Sequence, residues 1–257
     1  AEQFTKWAQW LNYDGYRAMY ESSQQERLGL LIWMSHACWP SMVWCTYDYY
    51  FEPTAAYFGV KKACEPLHIQ YNPVKKVAEV VNFAGGAKNG LMAKAQIFDM
   101  YGKLIKEDSQ EVNVGEDQTL DAVSVSEPDE AVYYIKLTLE QNNQIVSDNF
   151  YVMGKEEDNL QALSKLPKAT VAISGKRFVQ QGEEWIGEVE IRNTGHVPAL
   201  LLRLNLKGGD GEQILPVIYS DNYFSLMPNE CKKITVSYRN EDGRGQATYV
   251  EVTGFNK

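Results

Sequence analysis

Trp33, His36, Trp39 and Trp44 crowd into one short stretch of the chain. An indole face stacks on the C–H face of a sugar ring, and it serves equally well as ordinary core. The pattern alone leaves both readings open. His36 follows the apolar run Leu28-Gly-Leu-Leu-Ile-Trp-Met34, where a barrel strand would end and function tends to sit. His68 and His196 have no partner in the sequence and read as structural. Nearby acids are Glu2, Asp14, Glu21, Glu26, Asp48, Glu52 and Glu65. Hydrolysis of a glycosidic bond needs two carboxylates about 5–9.5 Å apart, and no spacing here identifies such a pair. Most of these acids read as helix-surface charges. Asp48, inside Tyr47-Asp-Tyr-Tyr50, reads as a turn cap in preference to a group that orients a ligand hydroxyl.

Other chemistries are weaker. Cys38, Cys45, Cys64 and Cys231 form no CxxC pair, and three histidines leave zinc few ligands. No metal and no cofactor is expected. Three of the cysteines lie in apolar or aromatic sequence and read as small core residues. A disulfide framework does not fit so low a density. The chain holds no GxSxG, no phosphate-cradling glycine loop and no dinucleotide fingerprint. Gly85-Gly86 and Gly208-Gly209 read as turns.

The elements that must position these residues change character near residue 66. Of 31 aromatic residues, 15 lie in the first 66. Phe4, Trp7, Leu11, Ala18 and Met19 recur at a helical period and predict a helix from Glu2 to about Ser22. The polar stretch Ser22 to Arg27 follows. Leu28 to Met34 suits a strand buried on both faces, and Tyr57 to Glu65 a helix stopped by Pro66. Helix, strand, helix is α/β grammar, yet one strand makes no parallel sheet, so residues 1–66 cannot bury their own aromatics.

From Leu67 the pattern is all-β. Val77–Phe83, Leu91–Tyr101, Ala131–Glu140 and Ile145–Met153 alternate or are rich in β-branched and aromatic residues. About seven strands are expected, the size of an immunoglobulin-like sandwich. Gly154 to Lys168 reads as a linker. A second sandwich follows over 169–257, with strands at Trp185–Arg192, Ala199–Lys207 and Lys233–Arg239. The expected fold is thus mainly β: two immunoglobulin-like sandwiches, 67–153 and 169–257, joined by the linker 154–168 and preceded by a partial (β/α)8-barrel segment, 1–66. In 257 residues, 25 basic against 34 acidic groups give a net charge of −9, which disfavours nucleic acid as a partner. No apolar run approaches the roughly 20 residues of a membrane span. No signal peptide is evident at the start.

Two segments resemble known enzymes. Leu31-Ile-Trp-Met-Ser-His-Ala-Cys-Trp-Pro-Ser-Met-Val-Trp44 resembles the last barrel strand and following loop of family 2 glycoside hydrolases. Tyr57-Phe-Gly-Val-Lys-Lys-Ala-Cys-Glu-Pro-Leu-His-Ile-Gln-Tyr71 resembles their final barrel helix and its exit into a sandwich. The exo-β-D-glucosaminidases are the nearest likeness, and the β-mannosidase and endo-β-mannosidase branch is next. Asn149-Phe-Tyr-Val152 and the segment Leu215 to Glu230 extend it, with Pro-Asn-Glu where relatives usually have Pro-Gly-Glu.

The resemblance implies a five-domain retaining β-glycosidase whose acid/base and nucleophile lie on earlier barrel strands. This chain would be its C-terminal third, without either carboxylate, and inactive alone. Its partners would be a β-linked amino sugar or mannose oligosaccharide and the missing N-terminal part of the same enzyme. A periplasmic or secreted setting is also implied. Trp33 matches the tryptophan that floors the non-reducing sugar's subsite, and Trp39 the next aromatic of that loop. His36 stands where relatives often carry asparagine and Ser35 where leucine is commoner, so the sugar is left open. A rival reading is a non-catalytic carbohydrate-binding or protein-contacting module, with Trp185, Tyr219 and Tyr223 as its aromatics.

Overall fold

A computed structural model describes residues 2–23, 29–175 and 178–257. Glu26 and Leu28 lie outside the described residues. The fold is mainly β, as expected. Two helices, α1 (Glu2–Ser23) and α2 (Ala55–Ala63), precede the strands. The chain forms two compact units. One comprises residues 1–16, 31–59 and 167–257, the other 17–30 and 60–166.

The second of these units is built on strands β1 (Leu67–Asn72), β2 (Val77–Asn82), β3 (Lys88–Asp99), β4 (Leu104–Val114), β5 (Gln118–Ser124), β6 (Val132–Gln141) and β7 (Gln144–Gly154). They make two antiparallel sheets, ordered β1-β2-β5 and β4-β3-β6-β7. Period-2 alternation turns Leu91, Ala93, Ala95 and Ile97 of β3 inward, with Tyr133, Ile135, Leu137 and Leu139 of β6 beside them. Ile69, Val80 and Val123 close the core from the other sheet. The segment read as a linker carries a 3-10 helix, Glu157–Lys165, and Leu163 and Leu166 are buried. Polar and charged residues dominate its composition, but these two leucines are buried.

In the first unit, β8 (Val171–Gly175), β9 (Val179–Gln181), β10 (Glu184–Asn193), β12 (Ile218–Tyr219) and β14 (Cys231–Arg239) form one sheet. A second is ordered β13-β11-β15, from Phe224–Leu226, Ala199–Gly208 and Thr248–Thr253. Leu202, Leu204 and Leu206 pack against Val189, Ile191, Ile234 and Val236 between them. Tyr219 and Tyr223, taken above as exposed aromatics of a binding module, are core residues. Trp185 packs partly against the same core, and its indole N–H donates to Asn240 Oδ1 at 2.8 Å.

The helices reveal a second correction. Of the stripe Phe4, Trp7, Leu11, Ala18 and Met19 that set the helical period, Trp7 is half-buried against Trp10 and Phe255 and the other four are exposed, with Leu11 at 67 %. The buried side carries Trp10, Tyr16, Arg17 and Glu21. Helix α1 is therefore apolar on two faces and covers only one. Within the strand expected at 28–34, the described residues 29–34 pair with no strand. A strand buried on both faces needs hydrogen-bonding neighbours on both edges. Here the backbone finds only an isolated bridge, between His36 and Tyr47.

Candidate functional site

The loop between the helices, within the first unit, is knitted by its own backbone. The Tyr47 N–H and the Thr46 hydroxyl both donate to Ser35 O, at 2.9 and 3.1 Å. Thr54 N donates to Thr46 O at 2.9 Å, and its hydroxyl to Cys45 O at 2.8 Å. Asp48 caps the intervening turn, as favoured from sequence: its Oδ1 accepts the N–H groups of Tyr50 at 2.8 Å and Glu52 at 2.9 Å. Phe51 sits at φ 66°, and its ring stacks on His36 with centroids 4.5 Å apart. The loop is anchored to α1 at two points. The Tyr16 hydroxyl donates to Trp44 O at 2.8 Å, and Gln9 Oε1 accepts Ala55 N–H at 2.9 Å. That second bond satisfies one of the unpaired N–H groups at the start of α2.

This frame leaves the candidate platform open. Trp33 is 81 % exposed and Trp39 68 %. Among the described residues no aromatic ring stacks on either. His36 is half-buried by Phe51. The three residues thus share one loop and differ in state: two free indole faces and one imidazole packed at the base. Leu31, Met42, Trp44, Tyr50 and Phe51 are exposed beside them. Scattered exposed apolar residues are ordinary, but so many in one loop mark a surface built for contact.

Glu52, read from the sequence as a surface charge, is paired instead, as are Glu21 and Glu65 in the other unit. Glu52 Oε1 accepts the Arg203 guanidinium through Nε at 2.9 Å and through Nη2. A cavity of about 370 Å³ opens beside the pair, with Asp48, Leu201 and Tyr223 in its walls. Burial pushes the Tyr223 phenol well up, although Arg203 opposes the shift. No local signal could have paired residues 151 positions apart. All four cysteines are free, and only Cys45 is buried, so the core reading fails for Cys38 and Cys64. Among the described residues no helix is long and apolar enough to cross a membrane.

The other unit holds a buried polar cluster. His68 Nε2 lies 3.1 Å from Glu21 Oε1, and its Nδ1 lies 3.2 Å from Glu65 Oε2. Lys62 pairs with Glu65 at 2.7 Å and with Asp148 at 2.9 Å. Arg17 donates to Asn149 Oδ1 at 2.9 Å and lies over the Tyr151 ring at 4.0 Å. Tyr151 OH donates to Glu21, 3.0 Å from either oxygen. Burial alone would lower the pKa of His68, but its bonds to Glu21 and Glu65 outweigh this and raise it. Burial would raise that of Glu65, and His68 with Lys62 lowers it. His68 is thus structural, as read from the sequence.

The class of protein follows from these features: immunoglobulin-like β-sandwiches joined to a helix–loop–helix that displays free tryptophans. Residues 149–257 match the family described as the exo-beta-D-glucosaminidase Ig-fold domain. An exo-beta-D-glucosaminidase of Amycolatopsis orientalis is 28 % identical over 98 % of this chain, and the chain covers 28 % of it. A mannosylglycoprotein endo-beta-mannosidase of Lilium longiflorum is 27 % identical over 99 %, with 34 % of it covered. A solved structure of the Amycolatopsis orientalis enzyme CsxA, described for its inhibition by a glucosamine-configured castanospermine and an amino-australine analogue, superposes with a TM-score of 0.91 at 27 % identity, covering 98 % of this chain and 34 % of that one. A beta-D-mannosidase of Dictyoglomus thermophilum shares the fold, with a TM-score of 0.72 at 18 % identity over 96 % of this chain and 29 % of its own. The resemblance read from the sequence is borne out along nearly the whole chain. The chain spans about a third of the length of these relatives.

Proposed function

We propose that this chain is the C-terminal part of a retaining β-glycosidase that acts on β-linked glucosamine or mannose. Residues 1–66 are the last piece of its barrel, and 67–153 and 169–257 are supporting sandwiches. Trp33 is one wall of the sugar pocket, with Trp39 and His36 in the same loop. The observation that carries this reading is the free Trp33 indole on a braced loop, in a chain similar from end to end to exo-β-D-glucosaminidases. The two-faced helix α1 supports it as well, because a helix apolar on both sides belongs between two layers.

The chain by itself is inactive in this reading. Glu52 is committed to Arg203, and Glu21 and Glu65 to His68. Retaining hydrolysis needs one carboxyl free to attack and another free to pass a proton. The burial of Tyr219 and Tyr223 removes the main support for a binding module on the sandwich face. The test is release of nitrophenol from an aryl β-glucosaminide and an aryl β-mannoside. The chain should release none. Hydrolysis above that of a Trp33→Ala control overturns the inactive-part reading.

A further inference from the structure

We infer that Arg203, on β11 of the C-terminal sandwich, is a positioning residue for the loop that carries Trp33 and His36, and that it acts through Glu52. The mechanical part stands on the structure of the first unit; the link to sugar binding rests on the proposed function.

The contact is directional. Two N–H groups of one planar guanidinium converge on a single oxygen, Glu52 Oε1. Such a fork fixes orientation as well as distance. Both side chains are largely shielded, at 31 % and 16 % exposure, so water screens the pair less than it would a surface bridge. From Glu52 the brace runs into the loop by two routes. Its backbone N–H is held by Asp48, the turn cap. Its neighbour Phe51, in the left-handed region, lays its ring on His36. His36, three residues from Trp33 in sequence, in turn bridges to Tyr47.

The sandwich is distorted where it presents Arg203. The β11–β13 register shifts between Ala199 and Leu202, and Leu201, inside that bulge, has φ 48°. Tyr223, which faces the pair across the cavity, has φ 57°. Bulky residues avoid this region, and a bulge typically re-aims a side chain. Strain of this kind persists when the surroundings enforce it and gathers at functional positions. Here two strained residues line the same cavity as Arg203.

The test is amide hydrogen exchange on the full 257-residue chain with Arg203→Met, Glu52→Gln and the double variant. Protection at Tyr47, Tyr50, Glu52 and Thr54 should fall at least tenfold in either single variant, and no further in the double. The β10–β14 ladder amides should keep theirs. Arg203→Lys, which keeps the charge and loses the fork, should fall between. The same samples are titrated with a chitosan oligomer and followed by tryptophan fluorescence, and Arg203→Met should weaken binding at least threefold. Unchanged loop protection, a loss spread equally over β10 and β14, or unaltered affinity overturns the inference. If the unsubstituted chain binds neither this oligomer nor a manno-oligosaccharide, the sugar-pocket reading fails. The exchange data then still decide the positioning role.

Discussion

Replacing His68 tests the buried cluster of the β1–β7 unit. Its imidazole is fully buried and both ring nitrogens face carboxylates. A neutral ring could donate to only one of them, whereas an imidazolium donates to both. His68→Leu leaves Glu21 and Glu65 without that proton donor. Breaking a buried charge pair costs about 3–5 kcal/mol. For a unit of this size each kcal/mol lowers the melting temperature by about 4–8 °C, so the drop should be at least about 12 °C.

The dependence on pH has a definite sign. The folded pKa of His68 is raised above 6.5, so its contribution is fully present below pH 6.5 and is lost as pH rises through the folded value. The folded pKa of Glu65 is lowered below 4.5, so its contribution is present above pH 4.5 and is lost as pH falls through the folded value. The two together give a plateau between pH 4.5 and 6.5. All six tryptophans belong to the other unit, so indole fluorescence serves as an internal control. The assay is urea unfolding from pH 4 to 9, followed at β6 amides by NMR, for the chain and for His68→Gln. If both lose stability in parallel above pH 6.5, His68 is not the titrating group. A loss below about 1 kcal/mol in His68→Leu would refute the ion-cluster argument.

Other expectations concern the first unit. Asn193 is fully buried; its amide donates to Val197 O and Leu226 O and accepts Gly195 N–H. Asn193→Ala should cost about 2–3 kcal/mol by urea unfolding, because buried polar groups then lack partners. Leu204→Ala, in the core between the two sheets, should cost about 2–5 kcal/mol in the same assay. Trp33→Ala should leave the melting temperature within about 1 °C, since the indole is exposed, and should abolish oligomer binding in a fluorescence titration.

The sequence by itself determined the elements whose signals are local. Alternation of side chains marked β2, β3, β6, β7, β10, β11 and β14 to within a few residues, because a strand with one face in the core must repeat at period two. The Asp48 turn was legible for a similar reason: an Asx cap is made by residues two and four positions on. The likeness of Leu31–Trp44 to a barrel loop was legible as well, since it rests on residue types in order.

What only the tertiary structure decided depends on partners distant in the chain. The period of α1 located the helix but not its covered side, because both sides are apolar and packing chose Trp10 and Tyr16. Leu28–Met34 had the composition of a buried strand, yet a strand exists only beside another strand. Tyr219 and Tyr223 look like their exposed counterparts in sequence, and burial between two sheets made them core. Glu52 and Arg203 are 151 residues apart, and Glu21 and His68 are 47 apart. Nothing local distinguishes such charges from surface ones. Their pairing follows from the fold, which brings each acid to its cation away from water, where Coulomb attraction is strong and an unpaired charge is costly.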